Sequence, residues 1–280
     1  MIDLHTHSTF SDGSLTPVEL ADLAVKEKLT AIALTDHDTT AGISVFLAAC
    51  KERKLIGIAG VEISADVDNG TMHMLGYHVD PGNAVLSQVL AKIRSGRDDR
   101  NSLIIEKLNR IGKNITMADV LKHVTEEVVG RPHFAEAMMD KGYVSSVKEA
   151  FDFYLGKGKA AYVDRFRFTP EIGIESIKTA GGVAVLAHPA TLGLKDKALR
   201  EFVGTLAEAG LGGIEVYYSE HSSDQVIFYS ALAREFKLVK TGGSDFHGKT
   251  TPDMRLGRGF GPLRVEDELL EPLEAAAGRR

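Results

Sequence analysis

Two histidines one residue apart, His5 and His7, stand near the start of the chain. Alternate residues of a strand point to one face, so both imidazoles project together while Ile2 and Leu4 face the other way. Such a pair can share one metal ion. Further segments carry the same chemistry. Asp36-His37-Asp38 follows the apolar run TAIALT, Glu62 closes GIAGV, and His73 sits within TMHML. His188-Pro189 ends VAVLA, and Asp245 and His247 follow LVKTGG. A polar residue ending one apolar run is ordinary turn chemistry. Six separate runs ending in His, Asp or Glu point instead to a metal site on the strand-end rim where α/β barrels assemble their active sites. Imidazole and carboxylate without thiolate suit Mn, Zn or Fe(II), whereas Mg prefers an all-oxygen shell.

The elements that must position these groups are short aliphatic runs alternating with amphipathic stretches. Strands are expected at Ile2–His7, Ala31–Thr35, Ile56–Val61, Met72–Val79, Val183–Ala187, Gly213–Tyr217 and Leu238–Thr241. Helices are expected at Pro17–Lys28, Thr40–Arg53, Lys195–Ala209 and Ser222–Phe236, the first opened by a Thr16 cap, Pro17 and Glu19. Alternation of this kind implies a parallel sheet, and seven strands imply an α/β barrel one unit short of eight. The turn signal Asp68-Asn69-Gly70 joins the third and fourth strands without a helix, which distorts the barrel. Residues 81–158 read as wholly helical, with Asn83–Gly112 one long helix or two joined near Gly96. The expected division is therefore a discontinuous barrel, 1–80 and 159–280, with residues 81–158 an inserted all-helical subdomain capping the active site.

Composition bounds the function class. Of the 280 residues, 44% are hydrophobic and 26% charged, which excludes wholesale disorder. The single cysteine, Cys50, excludes an intramolecular disulfide and a Cys-rich zinc site. No apolar stretch approaches the ~18 residues of a membrane span, and MIDLHTHS lacks a signal pattern, so a cytoplasmic location is expected. A net charge of -6 argues against stable duplex DNA binding. Nothing in the sequence assigns an oligomeric state.

The segments HTHSTFSDGSLTP, LTDHDTTAG, GVEIS, HMLGY, AHPA and GSDFH, in this order, resemble the PHP (polymerase and histidinol phosphatase) metal-dependent phosphoesterases. The resemblance implies a distorted seven-stranded (β/α)7 barrel with two or three divalent ions, Mn first, with Zn or Fe as alternatives. It implies that His5, His7, Glu62 and Asp245 hold one ion, and that Glu62 bridges to a second held by His73 and His188. Asp12, His37 and His247 would hold a third; where some members carry histidine, this chain has Asp12. Asp12, His37, His188 and His247 make up the expected catalytic group, with His188 or His247 helping to protonate the leaving oxygen. Three divalent ions against the carboxylates of Asp12, Glu62 and Asp245 leave about three positive charges, which favours a phosphate dianion over a neutral amide.

Other residues divide. His78, two residues past Gly76, is a candidate to support the ligands from behind, and Glu215 reads as a buried, paired carboxylate rather than a ligand. For His221, beyond the strand GIEVYYS, a substrate contact and a plain loop residue stay equally open. In the long helix the apolar stripe Leu86, Leu90, Ile93 continues onto Arg97 and Arg100 before resuming at Ile104. Either both arginines face the body of the protein, or a bend at Gly96 turns them out to pair with Asp98 and Asp99. Seven basic and three acidic residues lie between Lys92 and Lys113, and a second basic cluster is Gly130-Arg131-Pro132-His133. Arginine at a helix start suits phosphate. The R-x-H-F-A segment and the return through Tyr154-Leu155, Lys159 and Tyr162-Val163 resemble the PHP subgroup acting on nucleotides.

The expected function is hydrolysis of a nucleotide phosphate monoester, a 3′,5′-nucleoside bisphosphate first. Arg131, His133, Arg97, Arg100, Lys159 and His221 are the expected substrate contacts. The partner class is a phosphorylated small molecule or nucleotide, with short RNA as an extension. Alternatives are a 5′-3′ exonuclease on short oligoribonucleotides, a histidinol-phosphate-type phosphatase, a C–N hydrolase, and a catalytically silent regulatory metal domain.

Overall fold

The computed structural model describes residues 1–67, 70–124, 129–164 and 166–279. The turn expected at Asp68-Asn69-Gly70 therefore falls largely outside the described residues. Two compact units emerge, Met1–Ala91 with Phe168–Arg280, and Lys92–Arg167. The sequence reading placed the divisions at 80/81 and 158/159.

The first unit is a nearly closed seven-stranded α/β barrel. Its strands are β1 (Ile2–Asp3), β2 (Ala31–Leu34), β3 (Ile56–Ala65), β4 (Met72–Tyr77), β5 (Val183–Leu186), β6 (Gly213–Tyr218) and β7 (Val239–Gly243), hydrogen-bonded in chain order. All four residues of β2 are buried, because the strand is covered on both faces. Ala31 and Ala33 join Ile2, Leu4, Leu75 and Val185, while Ile32 and Leu34 pack with Leu20 and Phe46. Leu20 lies on α1 (Pro17–Lys26) and Phe46 on α2 (Ile43–Glu52). Each large aliphatic side chain so buried contributes roughly 1.5–3 kcal/mol. The cap of α1 is as expected: Glu19 N–H donates to Thr16 Oγ1 at 3.3 Å, and Thr16 N–H to the Glu19 carboxylate at 2.8 Å.

The sheet corrects the all-parallel expectation at one strand. β4 runs antiparallel to both β3 and β5, with Ser64 opposite His73 and Met74 opposite Leu186. A strand joined to its predecessor without a crossover helix must reverse. β1 is also shorter than expected. After Asp3 the backbone leaves regular pairing with β2 and bonds toward the β7 side, through Leu4 N–H to Gly242 O at 3.1 Å and His7 N–H to Phe246 O at 2.9 Å. Gly243 permits that approach, since a Cβ there would lie 2.4 Å from the His5 backbone nitrogen. Asp3 fastens the same closure: its carboxylate accepts from Ser244 N–H, Ser244 Oγ–H and Gly257 N–H at 2.5–2.9 Å.

The barrel's other main helices are α7 (Pro170–Thr179), α8 (Asp196–Glu208), α9 (Ser223–Glu235) and α10 (Leu270–Ala276). Helix α3 (Ala84–Arg110) is continuous, without a break at Gly96. The helical unit contains the end of α3 with α4 (Met117–Leu121), α5 (Arg131–Asp140), α6 (Val147–Ala150) and a π turn at Phe151–Leu155. Ile104, Leu108, Phe134, Met138 and Leu155 form its core. Among the described residues, no helix is long and apolar enough to cross a membrane.

Candidate metal centre

At the rim, three overlapping groups of side chains converge: His5, His7, Glu62 and Asp245; His7, Asp12, His37 and His247; and His37, Glu62 and His73. Within each, one potential ligand atom per residue lies within 4.8 Å of the others. Glu62, at 0% exposure, is the hub. Its Oε2 lies 3.4 Å from His5 Nε2, 3.3 Å from His7 Nε2 and 2.9 Å from His37 Nδ1. Its Oε1 lies 2.9 Å from His73 Nδ1 and 3.0 Å from His188 Nε2. Asp245 Oδ1 approaches His7 Nε2 at 3.1 Å and His5 Nε2 at 3.3 Å, and Asp12 Oδ1 lies 3.2 Å from His247 Nε2.

The backbone explains how separate segments meet. His73 is the second residue of β4 rather than the end of a strand, and the reversal of β4 brings it to the same rim, diagonal to Glu62 across the ladder. Asp38, His188 and Asp245 adopt φ of 54°, 22° and 60°. Left-handed backbone at non-glycine residues is costly and collects where a site requires it. Asp36, although in the DHD motif, turns away from the ligand groups: its carboxylate accepts from Ser8 N–H, Ser8 Oγ–H and Ser11 Oγ–H, each at 2.7 Å. It shapes the loop that carries His7 and Asp12.

The donor set fits divalent cations. His5 Nε2, His7 Nε2, His37 Nδ1, Glu62 Oε2 and Asp245 Oδ1 are all buried without a hydrogen bond. Buried polar atoms are rarely left so, and these converge on common points. The electrostatics agree. Burial alone would raise the Glu62 carboxyl, but His37, His73 and His5 overcome it and hold it well below the usual range. For His7, burial opposes charge, yet Asp245 and Glu62 raise its imidazole to about 10. His5, His37 and His188 are likewise raised against burial by neighbouring carboxylates, whereas burial lowers His73. The ionised carboxylates thus keep protons on the imidazoles that a cation would displace.

Sequence reasoning missed the polar groups behind this cluster. Tyr218 OH donates to Asp245 Oδ2 at 3.1 Å, and Thr191 Oγ1 lies 3.1 Å from His188 Nδ1. His78 is not among them. It follows the end of β4 paired with the first residue of β5, at the opposite end of the barrel from the rim. His221 is half-buried, and its Nδ1 donates to Val216 O at 3.0 Å.

The remaining expected substrate contacts belong to the helical unit. Arg100 is buried, and its donors serve Asn101 Oδ1 and Val129 O; of the two arrangements left open by the sequence, outward pairing with Asp98 and Asp99 is not the one it adopts. Burial, then the charges of Arg97, Arg131 and Arg167, lower its pKa to about 9. Arg131 lies over the Tyr162 ring at 4.5 Å and donates to Val163 O at 2.7 Å, while its Nε is buried without a partner. His133 Nδ1 accepts from Gly130 N–H at 3.1 Å. Arg97 is half-buried and Lys159 exposed.

Comparison with known proteins gives concordant results. The PHP domain matches residues 3–237. The 5′-3′ exoribonuclease Rnm of Escherichia coli (strain K12) is 36% identical over 261 residues, 91% of this chain and 88% of that protein. A 3′,5′-nucleoside bisphosphate phosphatase of Chromobacterium violaceum is 34% identical over 247 residues, 88% and 87% of the two chains. A crystal structure from Bifidobacterium adolescentis, assigned as a metal-dependent phosphoesterase, superposes with a TM-score of 0.79 at 32% identity, over 98% and 96%.

Proposed function

Because the chain belongs to the PHP domain family and is a metal-dependent phosphoester hydrolase, we propose that it removes a phosphate from a 3′,5′-nucleoside bisphosphate, leaving a nucleoside 5′-monophosphate. The observation that carries the reading is Glu62, whose two buried oxygens each serve a different set of imidazoles. His5, His7, Glu62 and Asp245 would hold one ion, Glu62 with His73 and His188 a second, and Asp12 with His37 and His247 a third; these donors suit Mn, Zn or Fe(II), and the family resemblance puts Mn first. Divalent ions there supply a water of lowered pKa and the charge that offsets the phosphoryl oxygens.

The chain's own residues do the rest. Asp12, Glu62 and Asp245 are few enough carboxylates to leave the loaded site positive toward a phosphate dianion. His247 Nδ1 donates to the Asp245 carbonyl at 2.8 Å, which fixes its tautomer and aims Nε2 at Asp12. A bisphosphate has a second phosphate to bind, and Arg131, Arg97, His133 and Lys159 are the candidates for it that the sequence offers. Arg97, Arg131 and Arg167 add to burial in lowering the pKa of Arg100 to about 9, and cationic side chains so gathered would favour an anion. The 36% identity to an exoribonuclease supports a second reading, 5′-3′ cleavage of short oligoribonucleotides by the same centre.

One experiment separates these readings: metal content by elemental analysis, with phosphate release from adenosine 3′,5′-bisphosphate measured beside mononucleotide release from a short oligoribonucleotide. The bisphosphate reading expects bound transition metal and the higher kcat/KM on the bisphosphate. A metal-replete protein that cleaves only the oligonucleotide overturns it.

A further inference from the structure

Glu215 is fully buried in β6, and both of its oxygens point at the candidate metal centre without belonging to any of the converging groups. Oε1 lies 3.0 Å from His5 Nδ1, and Oε2 accepts the His188 backbone N–H at 2.8 Å. The register shift between Glu215 and Tyr217 interrupts the ladder with β7 just beyond this residue, and such bulges re-aim side chains. The two groups it touches serve different parts of the centre. His5 faces Asp245 and the Oε2 side of Glu62, while His188 faces Oε1. His188 also carries the unusual φ of 22°, so its backbone needs an anchor.

We propose that Glu215 is a positioning residue for the metal centre, setting which nitrogen of His5 is free to bind metal and fixing the backbone that presents His188. A carboxylate accepts only, so in the loaded centre His5 would keep its proton on Nδ1 and turn the Nε2 lone pair, at an atom buried without a hydrogen bond, to the ion. One side chain thereby couples the geometry of two ligands drawn from different strands.

The chemistry of glutamine makes the proposal testable with an isosteric change. Two N–H groups face Glu215, and glutamine has a single acceptor. If its carbonyl serves His188 N–H, its amide N–H₂ faces His5 Nδ1 and drives the imidazole proton onto Nε2, the metal-facing atom. If its carbonyl serves His5, the amide meets the His188 N–H donor to donor. Either arrangement opposes the loaded centre.

The inference rests on the metal reading of the rim, and the test separates the two. Zinc affinity is measured by competition with a chromophoric chelator for the wild type and Glu215→Gln, together with melting of both metal-free proteins. Glu215→Gln should bind zinc about 10- to 100-fold more weakly. A long-range ¹H–¹⁵N imidazole spectrum of the zinc-loaded wild type should show His5 protonated on Nδ1, a readout that needs no variant to fold. Wild-type zinc affinity in Glu215→Gln, or a His5 without a proton on Nδ1 in the loaded wild type, overturns the assignment of Glu215 alone. A wild type that binds no zinc or manganese overturns the metal reading and this inference with it.

Discussion

Glu62 Oε1 and His188 Nε2 lie 3.0 Å apart although 126 residues separate them in the chain. Their meeting depends on β4, which stands between β3 and β5 and runs against both. A reversed strand delivers the start of its sequence, His73, to the rim where its neighbours deliver their ends. Glu62 is then flanked by imidazoles on both sides, five within 3.4 Å. No single hydrogen-bond pattern satisfies so many partners of one carboxylate, whereas coordination of cations by both of its oxygens would.

Glu62→Gln would remove one negative charge from both of the proposed ion positions at once. It should lower kcat/KM on the order of a thousandfold or more while the barrel still folds, as checked by steady-state kinetics beside far-UV circular dichroism. Asp245→Asn, which touches one group and the Tyr218 hydroxyl, should show a loss of the same order. Near-normal turnover in either variant would place the centre elsewhere.

The rim was legible because polar residues ended apolar runs at a frequency that turns alone do not require. His5, His7, Glu62 and Asp245 could each be singled out from their local patterns. What sits behind them was legible only in part. Glu215 was read as a buried, paired carboxylate and is one, but its partners, like that of Tyr218, come only from the neighbourhood of β5, β6 and β7, and the bulge after it is marked by no local pattern. The direction of β4 was half legible, since a turn without a crossover helix was noted but its reversal was not carried through to His73. His78 was misplaced for the same reason: in a reversed strand, the residue after the end lies away from the rim. Arg100 occupied an apolar stripe position because it is buried there, its guanidinium taken up by Asn101 and Val129.

Loading the centre should release protons. With its pKa raised to about 10 by Asp245 and Glu62 against burial, His7 is protonated at pH 7.5 until a cation displaces the proton. Calorimetry of manganese or zinc binding in two buffers of different ionisation enthalpy should give heats that differ by about one proton or more per protein. Equal heats in both buffers would mean that the imidazoles are already neutral. Chelation should also lower Tm, by mass action on the folded state.

His78 predicts an acid-side loss of stability unconnected with metal. Burial, with a smaller contribution from Arg279, lowers its imidazole to about 4, and its Nε2 is buried without a hydrogen bond. The unfolded chain takes up this proton near pH 6.5, and the folded protein does so only near pH 4. Stability therefore falls as pH drops through that window, by roughly 1–3 kcal/mol from this residue. In chelator-treated protein, His78→Gln should flatten the dependence of Tm on pH between 6.5 and 4 relative to the wild type. Parallel curves would show that His78 does not contribute.

Arg131 has two roles open to it, and its contacts bear on both. The stack on Tyr162 and the bond to Val163 O anchor it within the helical unit, while the buried, unpartnered Nε leaves a donor for an anion. If it binds the phosphate that is not hydrolysed, Arg131→Ala loses a charge-assisted contact of roughly 1.5–3 kcal/mol, about 10- to more than 100-fold in kcat/KM. That loss should appear with a nucleoside 3′,5′-bisphosphate and be small with an aryl phosphate, which has no second phosphate. If the anchor is all that matters, the variant should melt earlier and lose activity equally on both substrates. Arg131→Lys sharpens the comparison, because it keeps the charge but loses the planar fork and much of the stack. A bisphosphate-selective loss in Arg131→Ala, partly restored by lysine and with an unchanged melting curve, would assign the residue to substrate. Equal losses on the two substrates would return it to the scaffold.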